Sequence, residues 1–297
     1  MRARRSAVPV IIVQAAIAGA LSGGLFAVMA VGLSLTWGML RTINLAHFAL
    51  ILVGAYMTFQ LASTLHIDPL LTLVVTVPVL FAAGALLQLA FDRAELSEFN
   101  SLIVSFGLLI IVVQVTSNIW SADFQRMDAT INPYATQALR IGPFAFPWPT
   151  LLAFLFALAI VGSAHLALTR TYPGRALRAF AQDRAIASAF GIDPVRLGTL
   201  LAGAAGATAA VAGMLYALNF AVIPTAPFEW VGIVFAVVIL GGIGDAIGTL
   251  IAGVVVGAVS GIVTVVASPA VSPLVIFVAV VIALVLRPEG VFVRTRR

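Results

Sequence analysis

The chain has 297 residues, 62% of them hydrophobic and only 9% charged, and its mean hydropathy is +1.15. A soluble domain of this length does not carry such a composition, so this is an integral membrane protein. Its formal net charge of +5 comes entirely with arginine and no lysine or cysteine, which excludes the P-loop lysine, Schiff-base chemistry, disulfides and thiolate metal sites.

A spanning helix needs about 20 apolar residues, because only hydrogen bonding within the segment satisfies the backbone in hydrocarbon. Candidate segments are 8–36, 43–65, 69–91, 99–120, 149–169, 198–220, 230–242, 246–267 and 271–287. They predict an all-α polytopic membrane protein, a single transmembrane domain over 1–297, with eight to ten transmembrane or re-entrant helices. The basic start "MRARRS" and Ala18-Gly19-Ala20 imitate a signal peptide. The apolar stretch runs on to Leu40, which favours an uncleaved first helix. Two segments look irregular: the first clusters Gly19, Ser22, Gly23 and Gly24, and 230–242 is too short to cross and ends in "GGIGD".

Between 121 and 148 lies the longest polar stretch, with mixed charges and four prolines counting Pro149 after it. It reads as an external loop with short structure of its own, and "PFAFPWP" puts aromatics where an interfacial belt lies. The loop 170–197 is its counterpart. Arg170 and Arg196 flank it, with Arg175, Arg178 and Arg184 between them against Asp183 and Asp193, so the positive-inside rule places it in the cytoplasm together with Arg287 to Arg297. Counting back from that loop puts the N-terminus outside, against the rule, unless the first segment is two elements or Arg2, Arg4 and Arg5 are an exception.

From Gly174 to Phe190 no breaker interrupts the loop, and Leu177, Phe180, Ala181, Ile186, Ala189 and Phe190 are broadly compatible with one apolar face. A short amphipathic helix is expected, stopped by Gly191 with Pro194 beyond. It lies on lipid headgroups or docks into a cytoplasmic partner. Farther back, "RTINLAHFALILVGAY" sets Asn44 and His47 three residues apart, near one helix face, ahead of an apolar run. Such residues line a path or gate, or else join neighbouring helices by hydrogen bonds. Gly241, Gly242, Gly244 and Gly248 divide in the same way between packing and a broken, path-facing backbone, and Asp245 is the carboxylate to weigh for proton coupling. His66 and His165 have no neighbouring ligand pattern, so no metal is expected. The glycine-rich stretches 19–32 and 241–261 leave an inverted repeat open.

Three stretches, in order, resemble one family. "GRALRAFAQDRAIASAFGID" looks like the cytoplasmic coupling segment of branched-chain amino acid ABC transporter permease subunits, matched by Arg178, Ala179, Ala181, Asp183, Ala187 or Ala185, Gly191 and Ile192. Gly32, Leu33, Leu35, Trp37, Gly38, Ile43, Asn44, Ala46 and His47 match an early signature of the same family, where Phe48 departs from the usual glycine. "VILGGIGDAIGTLIAGVVVG" matches a third.

The resemblance implies the membrane-spanning subunit of an ABC importer in the bacterial inner membrane, translocating branched-chain or related amino acids. It is not an enzyme and has no cofactor of its own, since ATP is bound by partner subunits. The implied partners are two ABC ATPase subunits, a second homologous permease subunit and a periplasmic substrate-binding protein, with the lipid bilayer around them and no nucleic acid. Carried over residue by residue, it assigns ATPase coupling to Gly174, Arg178, Ala181, Asp183, Gly191 and Ile192. A path or gate falls to Asn44, His47, Gly241, Gly242, Gly244 and Asp245. Alternatives are a related ABC permease for urea or short amides, and an ion-coupled secondary transporter. An intramembrane enzyme ranks last, because the segments hold no paired carboxylates or Ser/His/Asp spacing.

Overall fold

The computed structural model describes residues 2–142 and 144–286. In chain order its helices are α1 (Arg2–Leu40), α2 (Ala46–Leu65), α3 (Leu73–Arg93, entered through a 3-10 turn, Pro69–Thr72), α4 (Glu98–Trp120), α5 (Trp148–Arg170), α6 (Tyr172–Gln182), α7 (Arg184–Ala189), α8 (Pro194–Asn219), α9 (Ala226–Gly241), α10 (Ala246–Val266) and α11 (Ser272–Leu286). An antiparallel hairpin of β1 (Ala138–Ile141) and β2 (Phe144–Pro147) precedes α5. Among the described residues seven helices are long and apolar enough to cross a membrane, and two shorter apolar helices, α9 and α11, bring the total within the expected eight to ten.

Local chemistry marks the helix starts. Ser97 accepts from Asn100 N at 3.2 Å, and Asp193 accepts from Val195 N and Arg196 N at 3.0 and 3.1 Å, with Pro194 in the first turn of α8. Outward faces of the bundle stay apolar, as at Val74, Phe99 and Ile111, which suits lipid in place of water.

The glycine cluster in α1 does not break the helix. α1 runs unbroken through Gly19, Gly23 and Gly24, and packs antiparallel on α10, with Gly19 against Gly257 and Gly261 and Gly23 against Gly253. Small residues let two backbones approach closely, which is what helices in lipid use when no hydrophobic force drives them together. The recurrence of glycine in the two halves is thus accounted for by this seam. The chain break falls later, at residues 41–45, where the backbone leaves the helix before α2. Because α1 is one helix, its first turn lies at the end of the bundle opposite to α6. The arginines of 287–297 lie outside the described residues.

The polar stretch before α5 has structure of its own, as expected, and is fastened to the bundle. Asn132 Nδ2 donates to Leu218 O at 3.1 Å, Tyr134 Oη donates to Asp68 Oδ2 at 2.8 Å, and Gln125 bridges Val222.

The 170–197 loop holds two helices rather than one. Asp183 adopts an extended backbone (φ −147°, ψ 107°), ends α6, and caps α7 by accepting from Ile186 N at 2.9 Å. An aspartate serves better as a helix cap than as an interior residue, and here it starts a second helix in a new direction. The expected single apolar face therefore divides. Leu177, Phe180 and Ala187 are buried, while Ile186 and Phe190 are 57% and 83% exposed.

Candidate functional site

The main core lies between α1, α2, α8, α9 and α10. A second, smaller core sits at the α6 end, where Leu177, Phe180 and Ala187 pack with Leu35, Met39 and Leu40 of α1, Val161 and Leu168 of α5, Leu201 of α8 and Ala246 of α10. Burying Leu177 and Phe180 contributes on the order of 2 kcal/mol each, so α6 is fixed to the membrane helices. Gly174 completes the junction: a Cβ there would lie 2.5 Å from Leu168 Cα. Thr171 Oγ1 accepts from Gly174 N at 3.2 Å and starts the helix. Gly191, at φ 81°, closes α7 with its N–H donating to Ser188 O at 3.0 Å, while Ile192 N donates to Ala187 O at 3.2 Å. Arg178 and Ala181 are half-buried, and Ala181 packs on the second core.

Two pieces of non-helical backbone meet α1 near its end. The first is the 41–45 linker. Ser105 of α4 stitches it, accepting from Leu45 N at 2.9 Å with its hydroxyl 3.3 Å from Ile43 O. Ser101 and Ser105 are fully buried, which is how irregular backbone survives at membrane depth. Asn44 in the linker and His47 in the first turn of α2 part company. His47 is 3% exposed, and its Nε2 donates to Met29 O at 3.0 Å, tying α2 to α1. A Cβ on Gly32 would come within 2.7 Å of His47 Cε1, so the ring's seat depends on that glycine. Asn44 is half-buried and its Oδ1 is buried without a hydrogen-bond partner. Phe48, where the resembled family has glycine, is fully buried and stacks on Phe235 of α9 at 6.3 Å, and Trp37 meets the same ring at 5.9 Å. The aromatic ring thus fills the contact between α2 and α9 in place of a close backbone approach.

The second piece is the turn from α9 to α10, Gly242 to Asp245. Gly242 and Gly244 have φ of 91° and 84°, which L side chains rarely adopt. A Cβ on Gly38 of α1 would stand 2.6 Å from Gly244 N, and one on Gly241 the same distance from Thr249 N. Asp245 caps α10, its Oδ1 accepting from Ile247 N at 2.9 Å and Gly248 N at 3.0 Å. A carboxylate so placed is held by the N-terminal amides and the helix dipole at the start of α10. Composition alone did not single out Ser34, whose fully buried Oγ accepts from Gly244 N at 3.1 Å and lies 3.2 Å from Thr249 Oγ1. Its only sequence signal was a hydroxyl four residues ahead of Gly38 in an apolar helix.

Asn44, His47 and Gly241 to Asp245 are therefore all grouped around the last third of α1. The helices α6 and α7 reach the same stretch through Leu40 and Ala246. Among the described residues no three His, Asp or Glu side chains gather as a metal would need.

The family model described as "Branched-chain amino acid transport system / permease component" matches residues 15–285. The chain is 25% identical over 243 residues to the high-affinity branched-chain amino acid transport system permease protein BraD of Pseudomonas aeruginosa, covering 78% of this chain and 79% of that one. It is 25% identical over 238 residues to LivH of Escherichia coli K12, a protein of the same description, covering 76% and 77%. It is 26% identical over 226 residues to a probable branched-chain amino acid transport permease protein LivH of Methanocaldococcus jannaschii, covering 74% and 70%. No solved structure matches. With the family's match running through every helix from α1 to α11, this chain belongs to the branched-chain amino acid transport permease family.

Proposed function

We propose that the chain is the membrane-spanning subunit of an ABC importer in the bacterial inner membrane, carrying branched-chain or related amino acids delivered by a periplasmic binding protein. Separate ATPases power it, docking on α6 and α7 from the cytoplasm, and a second permease subunit completes the conduit. The observation that carries this reading is the coupling segment itself. One side is anchored in a core shared with α1, α5, α8 and α10, while Ile186 and Phe190 project free of it. A rigid lever with an apolar tip passes displacement from a soluble partner to the helices it is packed on.

The conduit runs past the 41–45 linker and the 242–245 turn, where backbone polar groups stand outside regular helix beside the orphan amide oxygen of Asn44. His47, engaged with Met29, serves as interhelical glue. Asp245 is engaged with two helix amides as the cap of α10, a structural use of the carboxylate that weighs against ion-coupled transport. Related permeases for urea or short amides share the pattern, so the external binding protein sets the substrate.

The test is a Phe190→Asp substitution in proteoliposomes holding the permease with its ATPases. ATP-driven uptake should fall about tenfold or more, a barrier change of roughly 1.4 kcal/mol, while membrane insertion and ATP hydrolysis by the free ATPases persist. Full coupling in that variant overturns the docking assignment. Phe190 is the better site than Ala181, because a bulky residue at Ala181 disturbs the second core as well as the docking face.

A further inference from the structure

A groove of about 270 Å³ runs along the outside of the bundle between α5 and α8. Both helices pack on α1, which supplies the buried floor through Val31, Gly32 and Leu35, while Ala167 on one wall and Ala204 on the other are exposed. Leu166 and Leu200 beside them are 58% and 54% exposed, so the groove opens toward hydrocarbon. Its two hydroxyls turn back on their own helices, Ser163 Oγ donating to Ile160 O at 2.9 Å and Thr208 Oγ1 to Ala205 O at 2.8 Å. An occupant of this groove is therefore apolar. One turn of helix with its side chains, roughly 10–12 Å across and about 5.4 Å tall, fills about 500 Å³. The groove is too small to seat a helix of another subunit and suits a single hydrocarbon chain.

The groove's end is charged. α5 ends and α8 begins at the α6 end, and each wall runs out in an arginine. Arg170 lies three residues past Ala167, on the same face of α5, and Arg196 precedes Leu200 and Ala204 by four and eight residues on the outward stripe of α8. Arg170 is exposed, and among the described residues its side chain has no hydrogen bond or ion pair. Arg196 engages Asp193 Oδ2 through Nε at 3.0 Å, which leaves its two terminal nitrogens as donors. Arg175 and Arg178 on α6 add two cations with no acidic partner among the described residues. The acids of this end are otherwise placed. Asp193 also caps α8, Asp183 caps α7, and Asp92 meets α8 on its buried face, 3.9 Å from where a Cβ on Gly198 would stand. Glu95 and Glu98 belong to the α3–α4 side. Tyr172, just past Arg170, is 73% exposed, as suits an aromatic at headgroup depth.

We propose that this groove is a specific site for an anionic phospholipid, with one acyl chain between α5 and α8 and the phosphate on Arg170 and the outer face of Arg196. An apolar slot that ends in unpaired guanidinium groups at the membrane surface complements a lipid of that charge, and basic pockets between membrane helices bind such headgroups. The groove shares Val31, Leu35 and Leu201 with the second core, which holds α6. An occupant therefore stiffens the anchorage of the α6–α7 lever. This consequence rests on the importer reading above; the lipid site does not.

The test is native mass spectrometry of the chain in mild detergent, titrated with phosphatidylglycerol or with phosphatidylcholine of identical acyl chains. One phosphatidylglycerol should be retained per chain, about tenfold more tightly than phosphatidylcholine. Arg170→Gln should weaken that retention about tenfold. Ala204→Phe fills the groove from its exposed rim and should abolish retention with an unchanged melting temperature, while Arg93→Gln, at the end of α3 and outside the groove, should leave retention as in wild type. Excess glycerol phosphate should not displace the lipid, which separates a lipid site from a site for free phosphate. In phosphatidylcholine proteoliposomes with the ATPases, added phosphatidylglycerol should speed uptake by wild type and not by Ala204→Phe. Equal retention of the two lipids, retention untouched by Arg170→Gln and Ala204→Phe, or displacement by glycerol phosphate overturns the proposal. So does an Ala204→Phe variant that converts a dimer to a monomer, which would make the groove a contact between copies. Selective retention without ATP-driven uptake of any amino acid overturns the importer reading and leaves the lipid site standing.

Discussion

Replacing Ser34 by alanine tests whether the α9–α10 turn is held against α1 by a single buried hydroxyl. Ser34 Oγ is the acceptor for Gly244 N at 3.1 Å, and Thr249 Oγ1 lies 3.2 Å from it with a second engagement to Asp245 O at 2.7 Å. The substitution leaves the Gly244 N–H without that acceptor, which costs ~1–3 kcal/mol for a buried donor. Gly244 is only half-buried, so the lower half of that range applies. Thr249 keeps its bond to Asp245 O, so Thr249→Val should cost less when made in the Ser34→Ala background than alone, the signature of a shared network. Reversible unfolding in mild detergent gives the free energies, with Ser163→Ala as control, an exposed serine bonded only to Ile160 O. Amide exchange should rise at Gly244 and Asp245 first. Additive effects of the two substitutions, or a Ser34→Ala cost under about 0.5 kcal/mol, would refute the reasoning.

His47→Ala removes a buried ring and its bond to Met29 O, and should cost roughly 2–4 kcal/mol of stability while leaving transport per folded molecule near wild type; unchanged stability with lost transport would make His47 a path residue instead. Asp245→Asn preserves a good helix cap, so stability should move by less than about 0.5 kcal/mol and uptake should keep its pH profile, whereas loss of a pH-dependent component of uptake would revive ion coupling. The Tyr134 phenol is pushed up from 10.0 to about 12, first by burial and then by its bond to Asp68. The fold therefore favours the neutral phenol, and its contribution is complete below pH 10 and lost as pH climbs through about 12. Alkaline titration should loosen the 121–147 loop in that window, seen as faster proteolysis, and Tyr134→Phe should remove the pH dependence.

Much of the architecture could be read from the residues. Apolar runs of spanning length marked every membrane helix to within a few positions, because the bilayer demands internally satisfied backbone and leaves little freedom in where a span lies. The arginine-rich 170–197 loop and the short α9 ending at Gly241 were visible for the same reason, as were the three stretches that tie the chain to its family. Tertiary structure decided what periodicity cannot carry. Glycines look alike whether they break a helix or seat a neighbour. Only the antiparallel pairing of α1 with α10 shows that Gly19 and Gly23 do the second and Gly242 and Gly244 the first. Asn44 and His47, three residues apart, share a local pattern, but one finds Met29 O on another helix and the other finds no partner. Asp183 interrupts the helix expected in the 170–197 loop because its side chain caps a new one, and Arg41 and Glu98, far apart in sequence, share a cavity wall only because the end of α1 and the start of α4 lie side by side. Hydropathy sets where each helix lies in the membrane, and contacts between helices, made across long sequence separations, set which polar group is left to act.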